Sequence, residues 1–438
     1  MDYLVIGLGI TGISTVKTLS KLGFNVYGYD SKIKDRENEP EELKNLKYTL
    51  LFDLDDITSK DIICIKSPGI PPHNELIQKL LQKGIEVVSD LEMAYRLFGD
   101  KNLIAITGTN GKTTTTMLVN HILNESGKSS RAIGNIGVGM LWEIYSHPEI
   151  EYFVIESSSF QLDSTTTFRT KVAAFTNISP DHSDWHGSFG AYFKSKQNIF
   201  INQKETDKLI LNIDDKNLVK LKDKINSEII PISLTEKEAS FYYDKPYIYH
   251  NEKKIIDTRK LRIPGLHNIQ NVLIATAIAN TLNVSDDDIE RACYSFNAVE
   301  HRIEFVREFN EVKFYNDSKG TNVDSTIKAL SSFENPIILI AGGYDKKVSF
   351  EEMFKQYGQK IKKLILMGQT AEQMKKEAKW VKDITIVNNM EEAVKLSYKS
   401  SKKGDVVLLS PACASWGMYK NFEDRGNEFK ELVNNLGD

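Results

Sequence analysis

The sequence predicts an α/β protein, with mostly parallel sheets covered by helices and divided among more than one compact body. Three observations carry this. Short apolar strand runs alternate with amphipathic helical runs along most of the chain, from Tyr3 to Leu409, which is the pattern of parallel sheets. Two strand runs enter glycine-rich turns that open helices, at Gly7–Gly12 and at Gly108–Thr114. The chain has 438 residues, more than one hydrophobic core usually serves, so two or three domains are expected.

Taken in order, the first segment covers residues 1–92. Tyr3–Ile6 reads as a buried strand, followed by the turn and a helix with Ile13, Val16 and Leu19 on one face. Asn25–Tyr29 is the next strand, ending at Asp30, and Ile62–Ile65 runs into the turn signal Ser67-Pro68-Gly69. The second segment, 93–299, has strand candidates at Leu103–Ile106, Tyr152–Ile155 and Val172–Thr176. Its polar stretch 222–260 reads as a small peripheral sheet. The third segment, 300–438, has strand candidates at Val312–Tyr315, Ile337–Ala341, Leu364–Met367, Ile384–Val387 and Val406–Leu409.

Composition excludes several classes. The apolar fraction is 41%, the charged fraction 26% and the formal net charge -4, so neither a nucleic-acid surface nor an anionic-membrane surface is expected. Three widely spaced cysteines, Cys64, Cys293 and Cys413, fit neither a disulfide framework nor a structural zinc site. The opening Met1–Gly9 reads as strand and turn rather than signal peptide, and no apolar run reaches membrane length. A cytoplasmic protein is expected.

The stretch Gly108-Thr109-Asn110-Gly111-Lys112-Thr113-Thr114 follows a strand and opens a helix. Glycines let the backbone curl so that N–H groups face phosphate oxygens, and the helix N-terminus adds its dipole. Lys112 supplies a charge for the β- and γ-phosphates, and the Thr113 hydroxyl can ligate Mg²⁺. The spacing is shorter than G-x-x-x-x-G-K-[ST], because Ile106 stands where its first glycine would be. The Gly7–Gly12 fingerprint is less specific: NAD and a nucleotide diphosphate both suit it.

Glu156 lies just past a predicted strand, at the edge where open α/β sheets bind ligands, and could hold Mg²⁺ against phosphates. Asp181-His182 follows another strand end, and His182 reads equally as a metal ligand, a proton carrier or a structural histidine. Lys196 sits in a helical stretch and, from the residues alone, reads as solvated. Three polar or cationic loops, Asn316–Lys319, Gly342–Lys346 and Ser410–Trp416, follow strands of the third segment and mark one rim of its sheet.

Together these fragments resemble the Mur ligase superfamily, the amide-forming ATPases of peptidoglycan precursor synthesis. The resemblance covers nearly the whole chain. Its shared motifs are Gly108–Thr113, Gly134–Gly137, Asp181-His182, Gly265–Asn268 with Asn271, and His301-Arg302. The D-glutamate-adding branch is matched by Asn316–Lys319 with Thr321-Asn322, and by Ser410–Ser415 with Lys420–Glu423 and Arg425-Gly426. The resemblance implies three domains: an N-terminal Rossmann-like domain at 1–92, a central P-loop mononucleotide-binding α/β domain at 93–299 and a C-terminal Rossmann-like domain at 300–438. Another amide ligase of the superfamily, such as a folylpolyglutamate synthase, is the alternative.

Roles follow from the same resemblance. Lys112, Glu156, His182 and Lys196 would be catalytic. ATP would lie on Gly108, Thr109, Asn110, Gly111, Lys112, Thr113 and Thr114, with Asn268, Asn271, Arg302 and Asp317. Two Mg²⁺ ions would be held by Thr113, Glu156, His182 and Lys196, the lysine as a carbamate. UDP-N-acetylmuramoyl-L-alanine would contact Gly9, Ile10, Thr11, Asp30, Ser31, Gly69, Asn135 and Ser158. D-glutamate would contact Lys319, Thr321, Lys346, Ser415 and Phe422. Trp416 stands where the branch can carry leucine. A monomer is expected, with no nucleic-acid or membrane partner.

Overall fold

Strand Asp2–Ile6 is apolar nearly throughout because both of its faces are covered, with Leu4, Val5 and Ile6 buried. It lies at the centre of a five-stranded parallel sheet ordered Thr49–Leu51, Asn25–Tyr29, Asp2–Ile6, Ile62–Lys66 and Glu86–Val88. The computed structural model describes residues 1–54, 57, 61–99, 101–297, 299–344 and 348–437, without the side chains of 183 and 184.

A second, nine-stranded sheet is built around strand Asn102–Thr107, with Tyr152–Glu156 on one side and Val172–Phe175 on the other. It is parallel from Ser130–Gly134 at one edge to Phe241–Asp244, then ends in antiparallel strands Tyr247–His250 and Lys253–Asp257. The stretch 222–260 is therefore not a separate sheet. Lys208–Asn212 pairs in parallel with Glu228–Ser233 and carries the same sheet outward.

The chain divides into two compact units: Met1–Thr258 with Gln270–Cys293, and Arg259–Ile269 with Tyr294–Asp438. Both sheets above belong to the first unit. They share one apolar core, in which Leu8, Val16 and Leu19 join Met93, Leu103 and Met140. Helix Asp90–Phe98 fastens them by polar contacts as well. The buried Glu92 carboxylate accepts from the backbone N–H groups of Thr166 (2.9 Å), Thr167 (3.0 Å) and Phe168 (2.9 Å), and from the Thr167 hydroxyl. Asp90 Oδ2 accepts from the Met140 N–H at 3.1 Å.

The second unit holds a six-stranded sheet ordered Glu304–Phe309, Val312–Asn316, Val406–Leu409, Ile337–Ala341, Ile361–Leu366 and Ile384–Ile386. Only its first pair is antiparallel. Strand Glu304–Phe309 went unread in the sequence because Glu304, Arg307 and Glu308 break its apolar pattern, as suits an edge strand facing water. All three cysteines are buried and none forms a disulfide. Among the described residues no helix is long and apolar enough to cross a membrane.

Candidate active site

The strand Asn102–Thr107 delivers the glycine-rich loop at its C-terminal end, and helix Lys112–Glu125 starts directly after it. Gly111 has φ +84°, and a β-carbon there would land on the Asn271 side-chain oxygen, so glycine is required twice over. The neighbouring strand end cradles the loop. The Thr109 N–H donates to the Asn177 carbonyl (3.0 Å) and the Asn110 N–H to Asn177 Oδ1 (2.9 Å). The Thr176 hydroxyl donates to the Asn110 carbonyl at 2.7 Å. Lys112 Nζ lies over the loop, donating to the carbonyls of Gly108 (3.0 Å) and Thr109 (2.9 Å). Thr113 and Thr114 are half-buried in the first helical turn, where backbone N–H groups have no partner within the helix. Asn271 reaches the same place and accepts from the Thr115 hydroxyl at 3.3 Å.

Glu156 ends strand Tyr152–Glu156 rather than lying past it, and it is 3% exposed. Asn135 Nδ2 donates to Glu156 Oε1 at 3.0 Å, whereas Oε2 is buried with no hydrogen-bond partner among the described residues. A buried carboxylate oxygen without a donor is costly unless a cation completes it. Glu156 therefore fits a divalent ion carried on nucleotide phosphates. Among the described residues no three His, Cys, Asp or Glu side chains form a metal site by themselves.

Lys196 is not on a solvated face. It is 1% exposed, and its Nζ donates to the Gly108 carbonyl (2.8 Å) and the Thr107 hydroxyl (3.3 Å). Burial, and then the nearby Lys112 charge, hold its pKa well below that of an ordinary lysine, against the opposing pull of Asp181 and Glu156. Its ammonium lies 4.9 Å from the centre of the Tyr192 ring. Tyr192 was not singled out in the sequence. Its hydroxyl meets Thr109 Oγ1 at 3.0 Å, so it ties the helix carrying Lys196 to the phosphate loop. His182 has φ +49° and a solvent-facing ring that packs edge-on against Phe160 (4.8 Å) and lies 5.9 Å from Tyr192. Its Nε2 is 3.4 Å from Asp181 Oδ2.

The first sheet offers a second rim. Gly9 caps helix Ile10–Lys21, Ile10 is exposed at the start of that helix, and Thr11 follows. Asp30 uses both oxygens on backbone: Oδ2 accepts from the Leu8 N–H (2.8 Å) and Oδ1 from the Lys32 N–H (2.9 Å). It thereby shapes the turn, with Ser31 exposed beside it. Gly69 sits in the turn closed by the Ile70 N–H to the Ser67 carbonyl at 3.0 Å. Ser158 forms a capping box with Gln161 at helix Ser159–Leu162.

In the second unit, Asp317 is buried and pushed up to about 7 by that burial, against hydrogen bonds from the Ser410 hydroxyl (2.7 Å) and the Ile303 N–H (3.2 Å). Asn268 Nδ2 donates to the Pro264 carbonyl at 2.7 Å, and Arg302 is exposed. Lys319 lies 5.3 Å from the Phe422 ring centre, and the Thr321 N–H donates to the Lys319 carbonyl. Ser415 is buried and lines a small pocket together with Gly343, Met418 and Arg425. Lys346 lies outside the described residues. Arg425 is the organiser that motif matching alone did not explain. At 2% exposure it donates to the Ser318 hydroxyl (3.0 Å) and carbonyl (2.8 Å) and to the Cys413 carbonyl (3.2 Å), joining two of the three rim loops. Burial lowers its pKa to about 10.

Three family models match consecutive parts of the chain: a Mur ligase MurD-like N-terminal domain at 1–89, a Mur ligase middle domain at 106–279 and a Mur ligase glutamate ligase domain at 301–413. The UDP-N-acetylmuramoylalanine--D-glutamate ligase of Caldanaerobacter subterraneus is 42% identical over 440 residues, covering 99% of this chain and 98% of its own. The enzyme of the same name from Clostridioides difficile is 42% identical over 443 residues with the same coverage. A crystal structure of UDP-N-acetylmuramate-alanine ligase from Thermotoga maritima shares the fold, with TM-score 0.57 at 20% identity and 99% of each chain covered. With its phosphate loop, its buried Glu156 and its full-length likeness to these enzymes, the chain belongs to the Mur ligase family.

Proposed function

We infer that the protein is an ATP-dependent amide ligase that adds D-glutamate to UDP-N-acetylmuramoyl-L-alanine in peptidoglycan precursor synthesis. The observation that carries the reading is the phosphate loop, with Lys112 above it and buried Glu156 and Lys196 beside it, in a chain 42% identical over its length to D-glutamate ligases.

In this reading the free carboxylate of the UDP-sugar substrate attacks the γ-phosphorus of ATP, forming an acyl phosphate and releasing ADP. The D-glutamate amine then attacks the acyl carbon, the amide bond forms, phosphate leaves and the amine proton passes to solvent. Gly108–Thr114 bind the phosphates, and Lys112 offsets their charge as it shifts toward the leaving oxygen. Asn268, Asn271, Arg302 and Asp317 hold the rest of the nucleotide. Mg²⁺, assigned to two sites at Thr113 with Glu156 and at His182 with carbamylated Lys196, neutralises phosphate charge when bound. The lowered proton affinity of Lys196 favours the neutral amine, the form that carbamate formation requires.

Gly9, Ile10, Thr11, Asp30, Ser31 and Gly69 take the uridine diphosphate, and Asn135 and Ser158 the sugar. Lys319, Thr321, Lys346, Ser415 and Phe422 take D-glutamate. We assign these tasks to domains at 1–92, 93–299 and 300–438 of a cytoplasmic monomer. The deciding experiment is phosphate release from ATP with UDP-N-acetylmuramoyl-L-alanine and either D- or L-glutamate. Release that depends on D-glutamate is expected. Turnover with a folate and L-glutamate instead would replace this reading by the folylpolyglutamate one.

A further inference from the structure

Lys66 is the last residue of strand Ile62–Lys66, one position beyond the strand that the sequence predicts. It is 2% exposed, and Nζ donates to the Ile70 carbonyl at 3.0 Å, closing the turn that contains Ser67, Pro68 and Gly69. It makes no ion pair among the described residues, although Asp163 and Asp90 lie within electrostatic reach. On its other side the ammonium lies 5.3 Å from the centre of the Trp185 ring. The Trp185 N–H is buried without a hydrogen-bond partner among the described residues, so this side chain is held by its ring and not by its polar atom.

The Trp185 ring continues into a cluster. Its centre is 4.6 Å from Phe160 and 4.4 Å from His186, and Phe160 in turn contacts His182 at 4.8 Å. His182 and His186 both approach Tyr192, whose hydroxyl meets the phosphate-loop Thr109. A continuous line of packed groups thus runs from the Ser67–Ile70 turn through Lys66 and Trp185 to the loop. A buried cation on an indole face, with a single hydrogen bond, is held firmly only while both partners stay in place.

We propose that Lys66 is a positioning residue for the UDP-sugar substrate: its ammonium locks the Ser67–Ile70 turn onto the Trp185 ring, so that the turn bearing Gly69 is held in place. The inference rests on the proposed function, in which Gly69 belongs to the uridine diphosphate site. Lys66 fastens the turn that bears Gly69 and has no hydrogen bond to the Gly108–Thr114 loop among the described residues, so its removal should act first on the UDP-sugar. In Lys66→Met the turn loses the donor to the Ile70 carbonyl, and the Trp185 ring loses its cation.

The test is steady-state kinetics on Lys66→Met, Trp185→Leu and Trp185→Phe, with UDP binding followed by calorimetry. Lys66→Met and Trp185→Leu should each raise KM for UDP-N-acetylmuramoyl-L-alanine about tenfold and weaken UDP similarly. Their kcat and their KM for ATP and D-glutamate should stay within about twofold. Trp185→Phe, which keeps a ring face, should remain near the parent. Should Lys66→Met fail to fold, the pair at Trp185 carries the same comparison. An unchanged KM for the UDP-sugar, or equal losses on all three substrates, overturns the proposal. Absence of D-glutamate-dependent turnover in the parent protein would instead remove the proposed function, while the UDP-binding comparison would still judge Lys66.

Discussion

Lys112 and Lys196 are two cations brought to one loop, and burial decides that they behave differently. Lys112 is only partly buried and lies over the Gly108–Thr109 carbonyls, whereas Lys196 is enclosed and its charged form is disfavoured. Lys112→Ala should lower D-glutamate-dependent phosphate release by about 100-fold or more, because it removes a charge aimed at the transferring group. Near-parent turnover in that variant would contradict the assignment. Asp317 gives a prediction with a sign. Its carboxyl is raised from 3.8 to about 7, so between about pH 4 and about pH 7 the folded protein holds a proton that the unfolded chain has released. Its contribution to stability is therefore present below that window and lost as pH rises through it. Asp317→Asn, neutral at every pH, should show a smaller loss of urea resistance between about pH 5 and about pH 8 than the parent does. The nature of Lys196 could not be read locally. A lysine in the run Tyr192–Lys196 looks solvent-facing until the strand ends pack around it.

Among the elements, the strand-to-helix turns tolerate least. Gly111→Ala must adopt a left-handed backbone and also displace Asn271, so ATP affinity and thermal stability should fall together. A variant that melts like the parent and binds ATP normally would show that this turn relaxes freely. Helix Asp90–Phe98 makes a different prediction. Burial alone would raise the Glu92 carboxyl, but the hydrogen bonds from Thr167, Thr166 and Arg96 outweigh it and hold the pKa low. Glu92→Ala strands several buried backbone donors and should destabilise the fold by about 3 kcal/mol or more, read from the urea midpoint. The buried parallel strands at Ile337–Ala341 and Val406–Leu409 were legible at their bounds because each is an unbroken apolar run. The edges were not. Glu304–Phe309 carries charges that only an edge can solvate, and the outer strands of the nine-stranded sheet were visible as strands but not as part of that sheet.

At the scale of the molecule, ligands should act as stabilisers. ATP or ADP present at about a hundredfold excess over its dissociation constant should add about 2.7 kcal/mol to the stability of the cooperative unit that binds it. A melting temperature indifferent to nucleotide would argue against the loop as a phosphate site. Much of the candidate site was readable as motifs because glycine, lysine and threonine at fixed spacing have few other uses together. What joins those motifs was not readable, since Tyr192, Lys66 and Arg425 owe their roles to burial among distant parts of the chain.

The buried cysteines have a practical consequence. Burial pushes the Cys293 thiol up to about 12 and raises Cys64 further, and Cys413 is enclosed next to Thr370. Thiolate, the form that alkylating dyes attack, is scarce at Cys64 and Cys293, and burial shields Cys413 from such dyes. The natural protein is thus close to silent toward maleimide probes. Two cysteines introduced at exposed positions, one in each unit, would accept a fluorescent donor and acceptor without first stripping out native thiols. Energy transfer between those labels could then be followed as nucleotide, UDP-sugar and amino acid are added in turn.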